Sequence, residues 1–211
     1  MADAPPATSP DGLRERKKRA TRRALHDAAL RLALERGIEH VTVEEISAAA
    51  NVSARTFFNY FPSKEQAVVG DAITFDPGQM TSTMRSSSTV LDGLREVALG
   101  VVGNMTSERE QVRMRWELIE RHPSLLPQMM GRIMEFEREL ASALASRTGD
   151  QPEDAYPQVG AALAGMALRV SVRRWTRGQG GHPLEYHVNE VFALLGPALP
   201  ETGQRAKGEA L

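Results

Sequence analysis

Seven cations crowd one short stretch near the start of the chain: Arg14, Arg16, Lys17, Lys18, Arg19, Arg22 and Arg23, with only Glu15 opposing them. Such a run can neutralise the phosphates of a nucleic acid, or it can merely solvate the start of a helix. Further on, Arg55, Thr56, Asn59 and Tyr60 bring a guanidinium, a hydroxyl, an amide and a phenol onto one short segment. These are the donors and acceptors that read base edges and hold phosphates, while the adjacent Phe57 and Phe61 are suited to anchoring the segment in a core. Other chemistry is less well supported. His182 and His187 stand five apart near Glu185 and Glu190, which is not a zinc spacing, so surface or core histidines and no metal site are expected. Gly178 to Gly181 follows a helical pattern and reads as a hinge, not as a phosphate-binding loop. No nucleophile with a matched base stands out, so neither enzymatic activity nor a cofactor is expected.

The elements that must position these residues follow from local signals. From Arg14 to Arg36 there is no Pro or Gly, and Leu25, Ala28, Ala29, Leu32 and Ala33 recur at helical spacing until Gly37 ends the pattern. Thr42-Val43-Glu44-Glu45 is a capping box that opens a short second helix, with Val43, Ile46 and Ala50 inward and an exit at Asn51. Ser53 can cap a third helix from Ala54 to about Phe61. Pro62 breaks it, and Ser63-Lys64-Glu65-Gln66 opens a fourth. Asp76-Pro77-Gly78 and Ser86-Ser87-Ser88-Thr89 read as a linker or a broken helix. Beyond them, helices are expected at about 90–105, 108–121, 127–148, 153–177 and 183–195, with no strand.

The fold class is therefore all-α: an N-terminal three-helix helix-turn-helix domain joined to a larger helical domain. The expected limits are a disordered arm over 1–12, the helix-turn-helix domain over 13–70, the larger domain over 71–198 and a flexible tail over 199–211. Composition agrees with a chain that works inside the cell. There is no cysteine among the 211 residues, so disulfides and thiolate chemistry are excluded and a cytoplasmic setting is expected. No secretory start is visible, and nowhere do about 18 apolar residues run together, so no membrane partner is expected. The net charge of −1 is unlike that of a strongly basic nucleic-acid binder, but the cations are concentrated at one end.

The run from Thr42 to Glu65, TVEEISAAANVSARTFFNYFPSKE, resembles the TetR family of repressors, the likeness covering roughly residues 20 to 70. It includes the small residues of the second helix, the Val-Ser turn, the Thr-aromatic core of the next helix and the Phe-x-Ser-Lys-Glu exit. The resemblance implies a dimeric regulator that binds double-stranded operator DNA and responds to a small-molecule effector. It implies DNA contacts for Thr42, Arg55, Thr56, Asn59, Tyr60 and Lys64; Ser53 and Ala54, at the start of the same helix, and the basic run complete the expected set. Two positions depart from the family pattern. Asn51 replaces the usual turn glycine but still tolerates the backbone, and Phe58 replaces a tyrosine and so has no hydroxyl for a phosphate.

A regulator of this kind needs a cavity, and adaptable Met side chains often line one. The expected lining is Met105, Trp116, Ile119, Leu126, Met130, Ile133, Met134, Met166 and Trp175, with Arg113, Arg115, Arg121 and Arg132 as candidates for an anionic head group. Arg115 to Leu125 is similar to a stretch in regulators of acyl-CoA-like ligands. The expected dimer interface combines a small-residue stripe, Gly160, Ala161, Ala164, Gly165 and Leu168, with an apolar stripe, Val188, Val191, Phe192 and Leu195. The alternative is that both stripes pack within one subunit. The competing functions are an all-helical enzyme or carrier with an N-terminal docking module, and a ligand-independent activator.

Overall fold

The computed structural model describes residues 10–71, 73–103, 105, 109–178 and 181–196, and every regular element among them is helical. The chain divides into two units. One comprises the chain up to Gly70 together with Glu117–Gln128; the other comprises Asp71–Trp116 and the chain from Met129 onward. The expected domain over 13–70 is thus joined by a second segment, and the divisions fall inside one helix and near the start of the next.

In the first unit, α1 spans Pro10–Arg36, α2 Val43–Ala49, α3 Ala54–Phe58 and α4 Lys64–Val69, with a 3-10 turn at Ile38–His40. Helix α1 begins at Pro10, inside the stretch expected to be a disordered arm; residues 1–9 lie outside the described residues. Gly37 ends α1 at φ 83°, a left-handed conformation that glycine adopts without a Cβ penalty. The capping box forms as the sequence requires: Glu45 N–H donates to Thr42 Oγ1 at 3.2 Å, and Thr42 N–H donates to Glu45 Oε2 at 2.9 Å. Asn51 takes φ 55° at the exit of α2, which removes any doubt that the turn can close without glycine. The core is built from Leu25, Ala29, Ile46, Phe57, Ala67 and Val68, each wholly buried.

The second unit holds α5 Pro77–Ser86, α6 Val90–Gly103, α9 Ala155–Thr176, α10 Leu184–Ala193 and most of α7 Arg109–Arg121 and α8 Leu126–Thr148. Of the linker or broken helix expected there, the structure shows the second: helix α5, then a break at 87–89 before α6. Asp76 is the N-cap of α5, accepting a hydrogen bond from Gln79 N–H at 2.9 Å, and Pro77 sits at its first position, where a missing N–H costs nothing. Gly93 lets α5 approach α6 closely, since a Cβ there would stand 2.9 Å from Met84 Sδ. Helix α10 packs on α9 and α6, and α9 also packs on α6. Residues 197–211, including all of the expected flexible tail, lie outside the described residues. Among the described residues, no helix is long and apolar enough to cross a membrane.

Candidate nucleic-acid interface and effector cavity

Helix α3 is held from beneath and at both ends. Phe57 is wholly buried and Phe61 is 2% exposed. At the N-terminal end, Ser53 Oγ accepts from Thr56 N–H at 3.0 Å and lies 2.8 Å from Thr56 Oγ1. Beyond the C-terminal end, Arg22 donates to Tyr60 O at 2.7 Å and lies over the Phe61 ring, 4.3 Å from its centroid. Arg55 and Asn59 are exposed, whereas Ala54, Thr56 and Tyr60 are half-buried. The helix, which ends at Phe58 and not near Phe61, and its C-cap Asn59 therefore offer a guanidinium and an amide outward from a fixed base. Phe58 also points outward, 58% exposed, edge-on to Phe57 at 5.4 Å.

The basic run lies on α1. Arg14, Arg16, Lys17, Lys18, Arg19 and Arg23 are exposed, while Arg22 is the half-buried member that braces the segment after α3. Thr42 is exposed, with its hydroxyl engaged in the capping box. Its partner Glu45 has a carboxyl held below its ordinary pKa, first by the Thr42 backbone N–H, then by the Thr42 hydroxyl and by Arg36. The Arg36 to Glu45 contact, at 2.8 Å, ties the end of α1 to α2.

Lys64, expected as a phosphate contact, is half-buried and engaged with the backbone of its own unit. Its ammonium donates to Ile38 O at 2.8 Å and to Val41 O at 2.9 Å, closing the 3-10 turn that precedes α2. From the first position of α4 the side chain adds a charged donor to the Ile38 carbonyl, which already accepts from Val41 N–H at 3.4 Å, and supplies one to the Val41 carbonyl. Replacing Lys64 with Met should lower the unfolding free energy by about 1–2 kcal/mol, the worth of hydrogen bonds from a charged donor discounted for partial exposure. Equilibrium denaturation gives this directly. Unchanged stability with a flatter salt dependence of DNA binding would instead favour the phosphate role.

In the second unit, a cavity of about 490 Å³, counting its open mouth, is lined by Ile73, Met105, Val112, Arg115, Trp116, Met129, Ile133, Phe136, Gly165, Leu168, Arg169 and Val172. Phe75 packs edge-on to Phe136 at 5.7 Å. Of the expected lining, Met105, Trp116 and Ile133 are present. Six others are corrected. Met130, Met134 and Met166 are 42%, 63% and 39% exposed, since the cavity faces of α8 and α9 run through Met129, Ile133 and Phe136 and through Gly165, Leu168 and Val172. A neighbouring residue stands about 100° round the helix and points elsewhere. Ile119 and Leu126 belong to the other unit. Trp175 is buried away from the cavity, where Arg109 lies over its ring at 5.1 Å and donates to its carbonyl at 3.0 Å. The missed lining could have been found from the spacing of Met129, Ile133 and Phe136 on one side of α8.

The expected dimer stripes are also corrected. Gly160, Ala161, Ala164, Gly165, Leu168, Val188, Val191, Phe192 and Leu195 are all buried within the single chain, where α9 and α10 pack on each other and on α6 while Gly165 and Leu168 line the cavity. The apolar residues left outward on the same region are Val159, Met166, Val170, Tyr186 and Leu194. His187 is 1% exposed, and burial holds its imidazole below the usual pKa, which favours a neutral core histidine. His182 is exposed and stacks on Tyr186, with centroids 4.0 Å apart. Among the described residues, no group of three or more His, Cys, Asp or Glu could hold a metal ion.

Comparison with known proteins converges on one family. Residues 25–68 match the model of the tetR family of bacterial regulatory proteins, and residues 88–200 match the MftR C-terminal domain. The HTH-type transcriptional regulator TcmR of Streptomyces glaucescens is 34% identical over 173 residues, covering 78% of this chain and 76% of that protein. A protein described as the mycofactocin biosynthesis transcriptional regulator MftR of Mycobacterium tuberculosis is 27% identical over 192 residues, 90% of this chain and 96% of its own. Among solved structures, NalD, the secondary repressor of the MexAB-OprM multidrug efflux pump in Pseudomonas aeruginosa, shares the fold with a TM-score of 0.56 at 18% identity, over 87% of this chain and 98% of its own. An outward-facing α3 on a buried aromatic base, a basic α1 and a helical second unit with an apolar cavity thus coincide with matches to both halves of the chain, which belongs to the TetR family of bacterial transcriptional regulators.

Proposed function

We propose that the chain is a dimeric repressor that reads operator DNA with α3 and leaves it when a largely apolar small molecule fills the cavity of the second unit. The observation that carries the reading is the division of labour on α3: Phe57 is wholly buried while Arg55 and Asn59 stand outward. A short helix held this rigidly can enter a major groove and present the same two side chains to the same bases each time. The exposed cations of α1 supply the phosphate contacts that carry no sequence information. Val159, Met166 and Val170, spaced seven and four apart on α9, form the outward apolar stripe on which a second copy packs. Effector binding releases DNA through its differential affinity for the two dimer conformations.

The test is operator selection with purified protein, followed by single substitutions. Arg55→Ala and Asn59→Ala should each cost about 1–3 kcal/mol of binding and relax base preference at a defined position. Lys17→Ala and Lys18→Ala should weaken all sequences alike and reduce the salt slope. If Asn59→Ala ranks every operator variant as the parent does, the base-reading role is wrong.

A further inference from the structure

Among the described residues that line the cavity two are arginines and none is acidic. The two arginines are placed differently. Arg169 is exposed, and its charge already acts on Glu137, opposing the upward push that burial gives that carboxyl. Arg115 is 5% exposed, set in a wall otherwise made of groups such as Val112, Ile133 and Phe136. A guanidinium does not shed its proton at physiological pH, so this cation stays charged beside apolar surface. It also carries five donors in a planar fork, enough to take a carboxylate through two parallel bonds while keeping other contacts.

The other arginines considered for an anionic head group lie outside the cavity. Arg113 pairs with Glu110 at 2.5 Å and Arg121 with Glu117 at 2.5 Å. Arg132 pairs with Glu135 at 2.6 Å and donates to Ile73 O at 3.0 Å. We infer that the effector is an apolar molecule ending in a single free carboxylate, which Arg115 receives while the aliphatic and aromatic walls take the rest. This rests on the ligand-responsive reading above and specifies the chemistry of its effector. One buried guanidinium suits one carboxylate; a large polyphosphate head group would need several cations in a roomier, wetter mouth.

Trp116 lines the cavity one residue from Arg115 and reports on it. With Trp175→Phe in this 211-residue chain, Trp116 becomes its only tryptophan, since the sequence has two. Decanoate, 1-decanol and decanoyl-coenzyme A serve as probes, each below its micelle concentration, with tryptophan emission and melting temperature as readouts. Decanoate should bind saturably and at least about 10-fold more tightly than decanol, a difference of about 1.4 kcal/mol. Arg115→Met should abolish that preference by weakening decanoate while decanol binding is kept. Arg115→Lys, which keeps the charge but loses the fork, should retain a reduced preference and decides the matter if the Met variant does not fold. Equal binding of acid and alcohol, tighter binding of the coenzyme A thioester, an undiminished preference in both variants, or no binding by any probe would overturn the inference. Operator release is measured separately. Carboxylate binding through Arg115 without release of DNA would sink the ligand-responsive reading alone, whereas release by acid and alcohol alike would sink this inference alone.

Discussion

Phe57→Ala should cost about 3–5 kcal/mol of stability and abolish operator binding, the largest effect expected of any single truncation in the first unit. Phe57 is wholly buried, touches Phe58 edge-on at 5.4 Å and stands 6.0 Å from the Phe61 ring. Its removal takes away the base on which α3 rests, so Arg55 and Asn59 lose their fixed positions even if the helix survives. Leucine at the same position keeps most of the volume and should recover part of the binding. Urea denaturation followed by a gel-shift assay checks both. A Phe57→Ala protein of parental stability would show that α3 is held by its caps and not by its core.

Introducing charge on the outward stripe of α9 is expected to have the second large effect. Met166→Asp combined with Val170→Asp should yield monomers with parental helical content, and operator affinity should fall by about 100-fold or more, since specific binding exceeds non-specific binding by about 10³ or more and a lone reading head forfeits much of that margin. Both side chains are more than a third exposed in the single chain, so charging them should not disturb the core. Charging Phe192, by contrast, would bury an ion inside the subunit and test only folding. Analytical sedimentation decides: a double variant that remains dimeric places the interface elsewhere.

The first unit was readable because its signals are local. Thr42, Ser53 and Ser63 each cap the helix that follows, and Asn51 and Gly37 each end one, all through bonds or dihedrals set within a few residues. Asp76-Pro77 left a linker and a broken helix both open for the same reason, because a cap followed by proline opens a helix as readily as it marks a turn. The cavity was harder to read. Helix α8 carries Met129, Met130, Ile133 and Met134 in close succession, and their types alone do not tell which pair faces inward; the spacing that aligns Met129 and Ile133 with Phe136 and Leu140 does, and these four are the buried ones. The backbone contacts of Lys64 are not legible in the sequence, because its carbonyl partners lie 26 and 23 residues away. No periodicity announces such a bond.

The first unit is not one continuous piece of chain: Leu118, Ile119 and Leu125, all nearly wholly buried, come from the segment Glu117–Gln128 that belongs to it. His122 Nδ1 lies 3.0 Å from Glu39 Oε1, joining that segment to the 3-10 turn that Lys64 closes. Anyone grafting this head onto another regulator by splicing at Gly70 would leave behind part of its core. A working chimera needs three crossover points, after Gly70, Trp116 and Gln128, with the inserted segment taken from the same parent as the head.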